Sequence, residues 1–242
     1  MFHYKDISIH YTYTNNNYDK QIVYLHGWGQ NIEMMEPIAK PFQENVDTLI
    51  LDLPGFGKSG EPKSAWSLED YADMVHALLE KLKINSPILV GHSFGGKVSI
   101  VYASKYKCEK LILLASPYKV AIPRVSFKVR VLKTLAKMPL LKNIANKMKK
   151  NMGSIDYKNA SPKMRAILVK HINTDVSENC KRITCPTLII WGTNDTAVPL
   201  QDAYEIEKLI ENSAVIEYPG RTHYAYLEDL HKTIQVMKSF IE

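Results

Sequence analysis

Gly91-His92-Ser93-Phe94-Gly95 is the segment of this 242-residue chain with the most chemical content. The serine follows an apolar run at 87–90, precedes a helical stretch at about 95–106, and has glycines two residues to either side. That is the strand–turn–helix setting of a nucleophile elbow, a sharp strained turn in which glycines let strand and helix close up. A serine hydroxyl becomes a useful nucleophile only when a base takes its proton and a third group holds the base. Of eight histidines, only His223 and His231 lie in the last segment. His223 ends Pro219-Gly220-Arg221-Thr222-His223, a loop directly after the last apolar run, whereas His231 falls in the final helix and is expected to face solvent. His3, His10, His76 and His171 fall on early strands or peripheral helices, where structural roles suffice. Asp195 closes Trp191-Gly192-Thr193-Asn194-Asp195, just past the penultimate apolar run, and is the expected orienting acid. Asp202 lies beyond Val198-Pro199, in the next helix, and is expected to be a surface residue. The chemistry these groups suit is acyl transfer, whose tetrahedral intermediate needs N–H donors at its oxyanion. The Phe94 N–H, next to the nucleophile, is one candidate. The Trp28 N–H in His26-Gly27-Trp28-Gly29 is the other, with His26 orienting that loop. No metal or organic cofactor is implied.

Such groups have to be carried on the ends of strands. Residues 1–15 alternate polar and apolar and end in Asn15-Asn16-Asn17, which reads as strands and a turn. Apolar runs follow at 21–25, 48–53, 87–90, 111–115, 186–191 and 214–218. Between them lie a helical stretch at 32–42, an amphipathic helix from Ser67 to about Lys83, and a final helix near 225–240. Strands apolar throughout, alternating with helices, indicate a parallel sheet covered on both faces. The rhythm breaks at 119. The inserted stretch is helical, with Leu141, Ile144, Ala145, Met148 and Met152 on one apolar face and Ser161-Pro162 as a helix start.

Composition excludes disorder, since 45% of residues are apolar and 23% charged. Cys108, Cys180 and Cys185 are odd in number and lack metal-ligand spacing; Cys180 and Cys185 could pair locally, but the three read first as buried or idle reduced thiols. No basic stretch followed by an apolar run opens the chain and no window approaches a membrane span, so a cytoplasmic location is expected. The net charge of +6 conceals an asymmetry. Residues 119–181 hold 15 Lys or Arg against Asp156, Asp175 and Glu178, a net +12, which leaves −6 on the rest.

On His26-Gly27-Trp28-Gly29, Asp52-Leu53-Pro54-Gly55-Phe56-Gly57-Lys58-Ser59, the Gly91 elbow, Gly192-Thr193-Asn194-Asp195 and His223, the chain resembles α/β-hydrolase-fold serine hydrolases along nearly its whole length. It is similar to carboxylesterases, among them methyl esterases that act on acyl carriers and share a similar His-Gly-Trp-Gly stretch. The resemblance implies an α/β fold with a mostly parallel eight-stranded sheet and helices on both faces. Residues 1–118 and 183–242 would form the core, and 119–182 a helical cap. It implies cleavage of a carboxylic ester through an acyl-enzyme on Ser93, Asp195 and His223. A thioesterase or carbon–carbon bond hydrolase would use the same triad, and a ligand-binding receptor could retain the fold. The expected substrate is a small-molecule or carrier-linked acyl ester. An anionic carrier or membrane surface would suit the basic cap, and nucleic acid is not an expected partner. Arg221-Thr222 departs from the small residue more usual before the histidine. Gly57-Lys58-Ser59 mimics the end of a phosphate-binding loop, but Asp52 replaces its first glycine, and Gly60 and Pro62 stop the helix that would receive a phosphate.

Overall fold

The computed structural model describes residues 1–120 and 160–242. Nine strands occur there: β1 (Phe2–Tyr4), β2 (Ile7–Ile9), β3 (Tyr11–Thr14), β4 (Gln21–Leu25), β5 (Asp47–Leu51), β6 (Ile88–His92), β7 (Lys110–Leu114), β8 (Thr187–Gly192) and β9 (Ser213–Tyr218). The longer helices are α1 (Leu68–Leu82), α2 (Phe94–Ala103), α3 (Pro162–Ile172), α4 (Leu200–Leu209) and α5 (Leu230–Ile241).

Seven strands form the main sheet in the order β3-β5-β4-β6-β7-β8-β9. All neighbours run parallel except β3, which is antiparallel to β5. The apolar runs are explained by burial on both faces. Val23, Leu25, Leu49, Leu51, Leu89 and Leu113 enter one core, while Ile22, Tyr24, Ile50, Ile88, Val90 and Ile112 enter the other. Alternate residues of each strand thus serve opposite faces. Helix α1 lies in the first core, where it buries Leu68, Tyr71, Ala72, Val75, Leu78 and Leu79. Its start is set by a capping box in which the Ser67 hydroxyl accepts from Asp70 N–H and the Asp70 carboxylate accepts from Ser67 N–H. Losing such a cap costs about 1 kcal/mol.

The mostly parallel sheet is as expected; among the described residues it holds seven strands, one fewer than the expected eight, and β1 and β2 form a separate hairpin. The extended run breaks at His10, whose N–H goes to Ser59 Oγ (2.8 Å) while its carbonyl accepts from Asp52 N–H (2.9 Å), which separates β2 from β3. The stretch at 32–42 is three short helical turns, two of them with proline in the first turn. Each proline starts a turn and denies the preceding one a donor. The last helix is likewise divided, into Ala225–Glu228 and α5, at Asp229 (φ −132°, ψ 60°). Ser161 caps α3 as expected, accepting from Met164 N–H at 3.1 Å with Pro162 at the first helical position. The apolar face expected from Leu141 to Met152 lies outside the described residues. Among the described residues no helix is long and apolar enough to cross a membrane.

The crossover after β4 packs Ile32, Met35 and Ile38 on one face of the sheet, and the crossover after β6 packs Phe94, Val98 and Ile100 on the other. Adjacent strands whose crossovers part in this way leave a crevice at their carboxyl ends. His26-Gly27-Trp28-Gly29 and Ser93 stand at that crevice.

Candidate active site

Ser93 occupies the turn between β6 and α2 with φ 50° and ψ −110°, a left-handed conformation that costs a side-chain-bearing residue strain. Its N–H donates to Leu114 O on β7 and its carbonyl accepts from Lys97 N–H, both at 3.0 Å. Strand and helix therefore grip the turn from both ends. A Cβ on Gly91 would come within 2.5 Å of Gly96 Cα, and one on Gly95 would collide with the carbonyls of Leu25 and His26. Only glycines allow α2 to seat against the end of β4, which puts Phe94 beside Trp28.

Asp195 follows β8 with its carboxylate fully buried. Oδ1 accepts from the N–H groups of Ala197 (2.8 Å) and Val198 (2.9 Å), and Oδ2 takes His223 Nδ1 at 2.7 Å. The carboxylate is thereby oriented by its own loop and in turn orients the imidazole. The two loops are tied together, since Asn194 N–H donates to Arg221 O and Gly220 N–H to Thr193 Oγ1. The unusual Thr222 has a structural use here: its hydroxyl and its N–H (2.9 Å) both donate to the Glu228 carboxylate, and its carbonyl accepts from Ala225 N–H, which closes the turn around His223. On its other side, buried His92 donates Nε2–H to His223 O at 3.1 Å. Burial, and the His223 ring beside it, push the His92 pKa down to about 3. The residue adjoining Ser93 therefore holds the His223 backbone as a neutral donor.

Trp28 and Gly29 form the corner of a turn closed by Gln30 N–H to Gly27 O (3.2 Å), with Gly29 at φ 72°. The corner N–H of such a turn is not used by the turn itself. Phe94 opens α2, where no carbonyl four residues back in the helix meets its N–H. Among the described residues these two backbone donors are thus left over beside Ser93. His26 orients the loop as expected: Nδ1–H donates to Gly27 O (2.7 Å) and Nε2 accepts from Leu53 N–H (2.9 Å). Burial lowers its pKa to about 4, consistent with this neutral tautomer. Beside Trp28 an open cavity of about 470 Å³ runs past Gly55, Phe56, Glu61, Ser161 and Met164.

Three findings differ from the expectations. Asp202, expected at the surface, is buried and pairs with Lys119 at 3.0 Å. His171, assigned a peripheral structural role, packs on Phe94 and Trp28. Lys97, not singled out at all, is 1% exposed and donates to the carbonyls of His171 and Lys119. Signals for the last two existed. Met164, Ile167 and His171 share a helical stripe, and Lys97 is the lone charge in the buried helix Phe94–Ala103. His231 is exposed, and the three cysteines are free. The Gly57-Lys58-Ser59 loop is folded around Asp52, whose carboxylate accepts from Ile32 and Lys58 N–H. Among the described residues no three His, Cys, Asp or Glu side chains stand close enough together to hold a metal ion.

The sequence model of one family, described as the alpha/beta hydrolase fold, matches residues 20–124 and 119–230. The AB hydrolase superfamily protein YisY of Bacillus subtilis is 26% identical, over 91% of this chain and 91% of its own. Lipase 1 of Psychrobacter immobilis is 29% identical, over 95% of this chain and 79% of its own. Among solved structures, the enol-lactonase of Burkholderia xenovorans superposes with a TM-score of 0.78 at 19% identity, covering 98% and 97% of the two chains. At that identity the superposition speaks for the fold alone.

Proposed function

The chain belongs to the α/β-hydrolase fold family and is a hydrolase, and from that premise we propose that it cleaves carboxylic esters through an acyl-enzyme on Ser93. Ser93 Oγ attacks the ester carbonyl while His223 Nε2 takes its proton. Asp195 holds the opposite nitrogen as a donor, which keeps Nε2 free to act as base and stabilises the imidazolium that forms. The N–H groups of Trp28 and Phe94 receive the oxyanion. The same imidazolium protonates the departing alkoxide, and water then repeats the sequence on the acyl-enzyme to release the acid. The observation that carries this reading is the 2.7 Å contact between buried Asp195 and His223, anchored through His92 to the turn that holds Ser93. The lipase named among the relatives agrees with ester chemistry. We read residues 119–182 as a cap over this site, with its excess of cations drawing in anionic or carrier-linked acyl esters.

The test is turnover of a short-chain nitrophenyl ester. Ser93→Ala and His223→Ala should each lower kcat on the order of 10⁴-fold or more while melting as the wild type does. A folded variant that keeps a tenth of the activity would sink the assignment.

A further inference from the structure

Two buried polar groups beside the candidate oxyanion donors take no part in the acyl transfer just described. His171 lies in the last turn of α3, on the stripe Met164, Ile167, His171 that faces the core, and is 8% exposed. Its ring meets the Phe94 ring edge to face at 4.7 Å. It lies parallel to the Trp28 indole within 5°, with centroids 6.3 Å apart. Its Nδ1 is buried and, among the described residues, has no hydrogen-bond partner. Burial, with Lys97 acting in the same sense, lowers its pKa to about 3, so the imidazole is neutral. Lys97 Nζ donates to His171 O at 3.1 Å and to Lys119 O at 3.4 Å.

Both groups are costly to keep. An aromatic hydrocarbon at 171 would fill the same space without an unsatisfied nitrogen, and a buried ammonium forgoes its hydration. An orphan nitrogen next to a substrate site is satisfied when the substrate brings the partner. In the tetrahedral intermediate the oxyanion faces the N–H groups of Trp28 and Phe94. The leaving oxygen must face His223, whose ring neighbours are His92 and Tyr224. The acyl chain departs on the remaining side, towards the Trp28 and Phe94 side chains on which His171 packs.

We infer that His171 is a specificity-determining residue whose free imidazole nitrogen hydrogen-bonds a hydroxyl carried on the acyl chain within two carbons of the ester carbonyl. A hydroxyl both donates and accepts, so it suits either neutral tautomer. Lys97 holds the His171 backbone from the same helix that follows Ser93, which keeps nucleophile and specificity residue in one rigid frame. The inference rests on the ester-hydrolase reading above.

The experiment compares kcat/KM for nitrophenyl butanoate and for its 2-hydroxy and 3-hydroxy counterparts, each normalised to its rate of alkaline hydrolysis. The wild type should favour one hydroxy ester by roughly tenfold, the worth of one neutral hydrogen bond. That ratio should fall to about one in His171→Phe and in His171→Leu, either serving if the other fails to fold. It should survive in part in His171→Asn, whose amide puts polar atoms near the place of Nδ1. Absence of preference in the wild type, or a preference unchanged in the folded variants, overturns the inference and leaves ester hydrolysis standing. Absence of Ser93-dependent turnover for all three esters overturns the ester reading, and the inference with it.

Discussion

Asp195 and Asp202 are seven residues apart, and their surroundings divide their roles. Asp195 spends one oxygen on its own loop and the other on His223. Asp202 spends Oδ1 on Lys119, with burial raising its pKa and the lysine opposing that shift. Asp195→Asn replaces an acceptor by an amide that can present a donor to Nδ1, which favours the wrong imidazole tautomer. It should reduce ester kcat on the order of 10⁴-fold with little change in stability. Asp202→Asn should change stability by less than about 1 kcal/mol, because Lys119 loses one of two carboxylate partners while the burial cost of the Asp202 charge is removed. Its kcat should change less than about threefold. Kinetics and urea denaturation on the two variants decide this, and equal losses of kcat would move the acid.

Helix α2 ties the nucleophile's turn to the backbone at Lys119 and His171. Its glycines seat it on β4, and Lys97, one turn past Ser93, fastens Lys119 and His171. Burial lowers the Lys97 pKa to about 8, with Asp175 and Asp202 opposing. In the unfolded chain the same lysine keeps its proton to about 10.4. Between those values the unfolded state binds more protons than the folded one, so stability rises with pH. The penalty of holding the ammonium inside is therefore full below about pH 8 and relieved above it. Relative to Lys97→Met, the wild type should gain on the order of 1 kcal/mol per pH unit between pH 8 and 10. Urea titrations of both proteins at several pH values measure this, and a stability difference flat across the window would contradict it.

For the molecule as a whole, charge is distributed unevenly: +12 on residues 119–181 and −6 on the remainder. Like charges close together in the chain repel, so a net +12 within 63 residues supports the proposed attraction of an anionic substrate. Raising salt from about 0.01 to 0.15 M shortens the screening length from about 30 to about 8 Å. Over that range kcat/KM for an anionic ester should fall about tenfold while a neutral short-chain ester is nearly indifferent. Lys147→Glu, Lys149→Glu and Lys150→Glu combined should slow only the anionic case. An identical salt response for both esters would leave the cations as an ordinary solvated surface.

The fold class was legible in local pattern: strands apolar throughout require cover on both faces, the Gly91 elbow and the loop ending at Asp195 each follow such a strand, and the loop ending at His223 follows the half-buried edge strand β9. Those signals are local because a turn between strand and helix is specified by its own few residues. Contacts between segments far apart in the chain were not legible. That His92 would hold the backbone of His223, 131 residues on, depends on β6 and the post-β9 loop meeting at one sheet edge. That Asp202 would be buried depends on Lys119 reaching α4. The break at His10 depends on Ser59 and Asp52 taking its N–H and carbonyl. His171 and Lys97 show the limit most clearly. A polar residue on an apolar stripe is visible in the sequence, but whether it finds a partner is settled only by what the tertiary structure packs against it, because burial and hydrogen bonding are properties of the neighbours and not of the residue.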